Sequence, residues 1–256
     1  MISRIVSDKM DKMKTLVLGD THGRSLWKLI VYNEKPDRVI FIGDYFDSFD
    51  ISGLDQIQNF KEIVDFKERG ECEVILLIGN HDFHYMEGVD ENYSGYQSGL
   101  APSIGFMLKD NSRHLQMAYR MGQYLFTHAG VSSTFMDDAF GEGNWKEENI
   151  ADDINELFKY KPLSFGFGVY CDPHRFTDPH GDSIHQSPIW IRPRSLMNSN
   201  YDTLRKKIIQ VVGHTQVNKV DADGKADGNR YWFIDCLGTS GQYLVIEGET
   251  VNVNKI

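Results

Sequence analysis

Three times in its first third the chain runs through an unbroken apolar stretch into glycine and then a polar side chain. The stretches are LVLGD (16–20), FIGD (41–44) and LLIGN (76–80). Runs rich in Val, Ile, Leu and Phe, without the alternation of a half-wet strand, predict buried strands over 15–19, 38–43 and 73–79. Between them, 25–32 and 54–68 carry helical periodicity; Ile57, Phe60, Ile63, Val64 and Phe66 fall mostly on one face of the second. The order β-α-β-α-β predicts a parallel sheet covered on both faces.

The second half is patterned differently. Segments 115–120 and 123–127, separated by Met121-Gly122, predict a hairpin. An acidic surface helix is expected over 147–160, and 161–187 reads as a long irregular loop over the sheet. Residues 208–213 predict another strand, and 230–235, 243–247 and 251–254 an antiparallel end whose last two strands join at Glu247-Gly248. DADGKADGN (221–229) reads as an exposed hairpin loop, because it lacks the glutamate and spacing of a calcium loop. With no repeat, heptad run or linker, 1–256 reads as one domain, and 1–13 as a loose leader.

The strand tips share a plan. LFTH (125–128) and VVGHT (211–215) also end apolar runs in polar residues. In open α/β sheets the carboxyl ends of strands converge on one crevice, so Asp20, His22, Asp44, Asn80, His128 and His214 are expected to meet. Buried without partners, such groups cost roughly 1–3 kcal/mol each, and more when charged. Coordination of a dication removes that cost. Mixed nitrogen and oxygen donors suit Mn, Fe, Zn or Co rather than Ca. The donors are too many for one tetrahedral ion, and a carboxylate-bridged pair about 3.5–4 Å apart fits better. Singly, Asp20 reads as a helix cap and His128 as a core histidine; the repeated strand-tip pattern favours the metal site.

Composition adds limits. The 256 residues are 41% hydrophobic and 25% charged, ordinary for a globular protein. A formal net charge of −10 works against binding nucleic acid or anionic membranes, although a local metal can still hold a phosphate compound. Cys72, Cys171 and Cys236 are odd in number and far apart, and read as free thiols in a reducing compartment. No run is long enough to span a bilayer and the polar N-terminus lacks a signal-peptide core, so a cytoplasmic location is expected.

Gly19-Asp20-Thr21-His22-Gly23, Gly43-Asp44-Tyr45-Phe46-Asp47, Gly79-Asn80-His81-Asp82, His128 and Gly213-His214-Thr215 together resemble the motifs of the calcineurin-like metallophosphoesterases. The resemblance implies a four-layer α/β sandwich of two mixed sheets flanked by helices, with a two-metal site at the strand ends. By motif, Asp20 and His22 would hold the first ion, Asp44 would bridge, and Asn80, His128 and His214 would hold the second. Manganese is the first expectation, with Fe, Zn, Co or Mg as alternatives. His81 would face the substrate, oriented by Asp47, a pairing that fixes the imidazole tautomer and raises its pKa.

Gln216 stands where many phosphodiesterase branches carry another histidine. The chain is therefore more similar to the branch of phosphoprotein phosphatases and symmetrical dinucleoside tetraphosphatases. Pro188-Ile189-Trp190-Ile191-Arg192 resembles a Trp-x-Arg segment of bacterial members. Arg192 becomes a candidate phosphate clamp, with Arg194 second; a surface arginine beside a buried tryptophan is the alternative. The phosphate-gripping arginines of phosphoprotein phosphatases are missing: Asp47-Ser48-Phe49 replaces Asp-Arg-Gly, and Asp82-Phe83-His84-Tyr85 follows the third motif. Arg24 is a candidate to replace part of that charge. The expected reaction is attack of a hydroxide held between two metals on a small phosphorylated substrate or phosphoprotein, with His81 as general acid. Hydrolysis of dinucleoside polyphosphates is an alternative, with Tyr93, Tyr96, Phe165, Phe167 and Tyr170 as base-stacking or core residues. A phosphodiesterase and a non-catalytic metal-binding scaffold are further readings. His174, His180 and His185 on the long loop read as lid or surface histidines.

Overall fold

The apolar runs form the strands they predict, and helices alternate with them: β1 (Lys14–Leu18), α1 (Leu26–Glu34), β2 (Arg38–Phe41), α2 (Gly53–Arg69) and β3 (Glu73–Leu77). The structure, a computed structural model, describes residues 13–171, 182–199, 204, 208–223 and 230–256. Most of the expected leader, His174 and His180, and residues 224–229 of the aspartate-rich loop lie outside them. The helix α2 starts where Ser52 Oγ accepts the Asp55 N–H at 3.2 Å and stops at Gly70, in the left-handed region at φ 67°. Strands β1, β2 and β3 pair in parallel. Their side chains alternate between two cores. Leu16, Leu18, Val39, Phe41 and Leu76 pack under Trp27 and Ile30 of α1 and Phe60 and Ile63 of α2. Val17, Ile40, Ile75 and Leu77 point the other way, onto a second sheet.

Beyond β3 come the short α3 (Asn80–Phe83), α4 (Ala101–Asp110), β4 (Leu115–Gln116), β5 (Ala118–Met121), β6 (Tyr124–Thr127), α5 (Ser133–Phe140) and α6 (Ile150–Tyr160). They are followed by α7 (Pro193–Ser199), β7 (Ile209–Val212), β8 (Asp221–Asp223), β9 (Tyr231–Phe233), β10 (Gln242–Glu247) and β11 (Thr250–Lys255). The first sheet has six strands in the order β11-β10-β1-β2-β3-β4, and the second has five in the order β5-β6-β7-β9-β8. Tyr124, Phe126, Val211 and Trp232 fill the space between the sheets with the inward residues of β1–β3. On its outer face the second sheet packs through Leu125 against Phe135 of α5 and Ile154 and Leu157 of α6. Helices, sheet, sheet and helices make the four layers that the family resemblance implies.

Several expectations need correction. The three predicted strands pair in parallel as expected, but the sheet they belong to is mixed, as the resemblance implies, because β10 joins β1 antiparallel and β11 continues from it. Its covering is helical on one side only; the other side is the second sheet. Segment 115–120 is not one strand: Leu115 and Gln116 pair with β3, whereas Ala118 pairs with Thr127, so the chain changes sheets at buried Met117. The hairpin turn is Gly122-Gln123, with Gly122 at φ 56°. β9 does not join the C-terminal pair; it lies parallel to β7 in the second sheet, with β8 on its far side. The β10–β11 turn is Gly248-Glu249. The helix expected over 147–160 is α6 plus one preceding 3-10 turn, and it is not only superficial, since Ile150, Ile154 and Leu157 are buried. The three cysteines are free, and no described helix is long and apolar enough to cross a membrane.

Candidate active site

The parallel strands of both sheets deliver their carboxyl ends to one edge. Asp20 and His22 follow β1, Asp44 follows β2, Asn80 and His81 open α3 after β3, His128 follows β6 and His214 follows β7. The turns that aim them are tight. His22, Asp44, Asp47 and His214 hold φ between 41° and 65°, and Lys35 is the one described non-glycine residue elsewhere with positive φ. Such backbone costs about 1–3 kcal/mol per residue and gathers where geometry serves function. Two glycines make room: a Cβ on Gly79 would lie 2.1 Å from Asp44 Oδ1, and one on Gly213 2.0 Å from Asp20 Oδ1.

Each histidine is oriented by a second contact. His22 Nδ1 donates to Phe46 O at 2.6 Å and His128 Nδ1 to Ile42 O at 3.0 Å. A carbonyl only accepts, so both rings carry the proton on Nδ1 and turn Nε2 inward, the usual arrangement of metal-binding histidines. Asp44 Oδ2 lies between them, 3.8 Å from His22 Nε2 and 3.4 Å from His128 Nε2. Asn80 Oδ1 is 2.9 Å from His128 Nε2 and 3.0 Å from His214 Nδ1. Asp20 accepts the His214 N–H at 3.1 Å. Asp82, fully buried, accepts N–H bonds from Gly79, Asp44 and Tyr45 at 2.8–2.9 Å and staples the second motif to the third.

Protein groups alone do not balance this cluster. Burial, with Asp235 beside it, pushes Asp20 well above the usual carboxylate range. Burial and Asp44 push Asp235 up to about 6. Despite burial, His128 and His81 hold Asp44 far down, and His214, depressed by burial and by His128, leaves its buried Nε2 with no hydrogen-bond partner. Ligand atoms of Asp20, His22 and Asp44 all lie within 4.8 Å of one another. Crowded carboxylates, inward imidazoles and an orphaned nitrogen are what divalent cations would satisfy, so the donor set fits metal.

Beside this cluster, His81 Nδ1 is 2.9 Å from Asp47 Oδ2. Burial disfavours its charge, but Asp44 and Asp47 outweigh that and hold His81 up at about 9. Asp47 also faces His84 Nε2 at 2.6 Å and accepts the Tyr85 hydroxyl at 2.5 Å. Asp47, His81 and His84 form a second group with metal-compatible spacing.

A cavity of about 320 Å3 opens over the cluster, lined by Asp20, His22, Asp47, His81, His214 and Asp235, with Arg24, Phe49, Asp50 and Gln216 around them. Of the eight non-arginine residues read from the motifs, Asp20, His22, Asp47, His81 and His214 line it, and Asp44, Asn80 and His128 join them through the contacts above. The arginines divide. Arg24 lines the cavity with its Nη2 3.0 Å from Asp50 Oδ1. Arg192 is half-buried, 3.5 Å from Thr215 Oγ1, and Arg194 is exposed on the first turn of α7; neither lines the cavity. The five aromatics considered for stacking do not line it either: Phe165 is core, and Tyr93 stacks on His84 and Tyr96 on Tyr85. His185 is taken by Asp138 at 2.5 Å.

Sequence reasoning missed Asp235, His84 and the Tyr85–Gln97 buttress. Asp235 was legible, since YWFID (231–235) ends an apolar strand in a carboxylate like the other tips. His84 and Gln97 carry no such signal; tertiary packing alone brings them to Asp47.

The fold recurs in solved structures. A cold-active protein tyrosine phosphatase of a psychrophilic Shewanella species superposes with TM-score 0.64 at 18% identity, over 96% of this chain and 81% of that one. A protein serine/threonine phosphatase from Saccharomyces cerevisiae gives 0.56 at 14% identity, over 98% and 82%. A putative diadenosine tetraphosphatase gives 0.51 at 14%, over 95% and 93%. A search of curated protein sequences finds no significant match. The family model of the calcineurin-like phosphoesterases matches residues 13–235. That span holds every strand tip described above, and the chain belongs to the calcineurin-like phosphoesterases, metal-dependent hydrolases of phosphoric esters.

Proposed function

We propose that this chain is a dinuclear phosphatase acting on phosphate monoesters, whose ions would be held by Asp20, His22, Asp44, Asn80, His128 and His214. The observation that carries acid-assisted ester hydrolysis is the His81–Asp47 pair at the cavity wall, next to the ligand cluster, and Gln216 in place of a further histidine favours monoesters over diesters. When bound, the ions supply positive charge to phosphoryl oxygens and acidify water for attack near neutral pH. The chain's own groups do the rest. His81 Nδ1–H donates a hydrogen bond to Asp47 Oδ2, which fixes the ring and leaves Nε2 toward the cavity. From there a protonated His81 gives its Nε2 proton to the oxygen that leaves as the alcohol. The buried Asp47 carboxylate stabilises the imidazolium before that transfer. Gln216, in place of a further histidine, leaves an uncharged amide at the cavity wall.

The alkoxide that leaves the phosphorus is where His81 acts. His81→Ala is expected to lower kcat on an alkyl phosphate about 10²–10³-fold, and on p-nitrophenyl phosphate, whose leaving group needs no proton, much less. Metal content by mass spectrometry should stay at wild-type level. Equal losses on both esters would remove the acid role. Faster turnover of bis-p-nitrophenyl phosphate or diadenosine tetraphosphate than of any monoester would replace the substrate class. Manganese is the ion we expect in the cell, in an enzyme of the cytoplasm working on small phosphorylated compounds or phosphoproteins.

A further inference from the structure

The cavity rim is formed by Ser48, Phe49 and Asp50, immediately after Asp47. Its backbone is fastened on both sides. Ser48 N–H donates to Gln56 Oε1 at 3.3 Å, and Gln56 Nε2 donates to Ile51 O at 2.6 Å. Ser48 Oγ donates to Asp50 Oδ1 at 2.6 Å, and Arg24 Nη2 sits 3.0 and 3.1 Å from the two Asp50 oxygens. Between these anchors Phe49 is left 83% exposed. Scattered exposed apolar side chains are ordinary. Phe49, however, is the most exposed of the large apolar side chains described, and the only one of the exposed set that lines this cavity.

Its place along the chain has chemical meaning. Two residues before it, Asp47 holds the histidine that would protonate the departing oxygen, and Asp47, His81 and Phe49 line the same cavity. The backbone that carries the ring is already fastened, so stacking costs no ordering of the loop. The same cavity is poorly suited to a polyphosphate: at about 320 Å3 it is near the lower end of ligand-site volumes, and its one lining arginine is already held by Asp50.

We propose that Phe49 is the leaving-group wall of this site and selects phosphate monoesters of aromatic alcohols, phenyl phosphates and phosphotyrosine among them. The inference rests on the monoesterase reading above and names its substrate class.

The test compares the manganese-loaded full chain with Phe49→Ala and Phe49→Tyr. The readout is the ratio of kcat/KM for aryl esters (phenyl phosphate, phosphotyrosine) to that for alkyl esters (glycerol phosphate, phosphoserine). An aromatic contact of ordinary strength predicts that Phe49→Ala lowers this ratio about 3–10-fold, mainly through KM, and that Phe49→Tyr restores it. Calorimetric binding of the non-hydrolysable phenylphosphonate should weaken by the same factor in Phe49→Ala relative to methylphosphonate. An unchanged ratio and unchanged phosphonate selectivity would show Phe49 to be a surface side chain and overturn the inference, with the monoesterase reading intact. Should the wild type hydrolyse neither ester class yet still prefer phenylphosphonate in a Phe49-dependent way, the monoesterase reading falls and the aromatic wall stands.

Discussion

At the scale of the residue, Asp47 is held from several sides. Its side chain is fully buried, and three neighbours address it at 2.9 Å or less: His81, His84 and Tyr85. Burial opposes its charge, but these three partners keep its pKa below the ordinary value. The tautomer of His84 follows from its other side. Its Nδ1 lies 3.3 Å from the Tyr93 N–H and accepts it, so the neutral ring carries its proton on Nε2, toward the carboxylate. Asp47→Asn keeps the volume and removes the charge that supports His81. It is expected to lower kcat on an alkyl phosphate about 10²-fold, with metal content and KM near wild type; steady-state kinetics beside metal analysis check this. Tyr85→Phe deletes one hydrogen bond to a buried charge and should cost about 1–3 kcal/mol of stability in urea unfolding. Because Tyr85 OH also accepts the Gln97 N–H at 2.8 Å, the loss loosens the segment before α4 as well. A Tyr85→Phe variant as stable as wild type would mean that Asp47 is not held as described.

At the scale of the element, the strand tips were readable because each is local: a buried strand and a polar group, in four of the five with a glycine between them, lie within a few residues. What was not readable is non-local. Nothing in LQMAYR tells Gln116 to pair with Leu77 while Ala118 pairs with Thr127, or sends β9 to β7 rather than to β10. The helix α4 was not among the expected elements; its Pro102 sits in the first turn, where no N–H is needed. Gly105 is explained by its neighbour, since a Cβ there would lie 2.6 Å from Tyr85 O. One contact ties elements that the sequence keeps far apart. Glu34, at the end of α1, meets Lys14 at 2.5 Å, Tyr243 OH at 2.7 Å and Asn254 Nδ2 at 2.9 Å, and so joins α1 to β1, β10 and β11. Burial would raise its pKa, but the bonds from Lys14, Tyr243 and Asn254 win and lower it. A depressed carboxylate contributes stability above its unfolded pKa, near 4.3, that disappears as pH falls through the folded value. Glu34→Gln should therefore cost about 1 kcal/mol at pH 7, and the gap to wild type should narrow as pH falls below about 4 in parallel urea titrations. A gap independent of pH would mean that the charge is not what counts there.

At the scale of the whole molecule, the site is a seam. Asp20, Asp44 and Asn80 come from the first sheet, and His128 and His214 from the second. Ions held among them would bind the folded state and tie the two sheets at their carboxyl edge. At about a hundredfold excess over the dissociation constant this adds roughly 2.7 kcal/mol. Chelation is expected to lower the midpoint of thermal unfolding by about 5–10 °C. The same carboxylates are a liability without metal, because Asp20 and Asp44 are buried, with Asp235 close by, in a chain of net charge −10. This gives a prediction with opposite signs. In the chelated protein Asp20→Asn removes a buried like charge and should raise the unfolding temperature by a few degrees. In the manganese-loaded protein the same change removes a donor and should lower it. Calorimetry of both variants in both states reads the crossing directly. A ligand carboxylate must change sign between them, whereas a carboxylate serving only to cap the turn after β1 would lower stability in both.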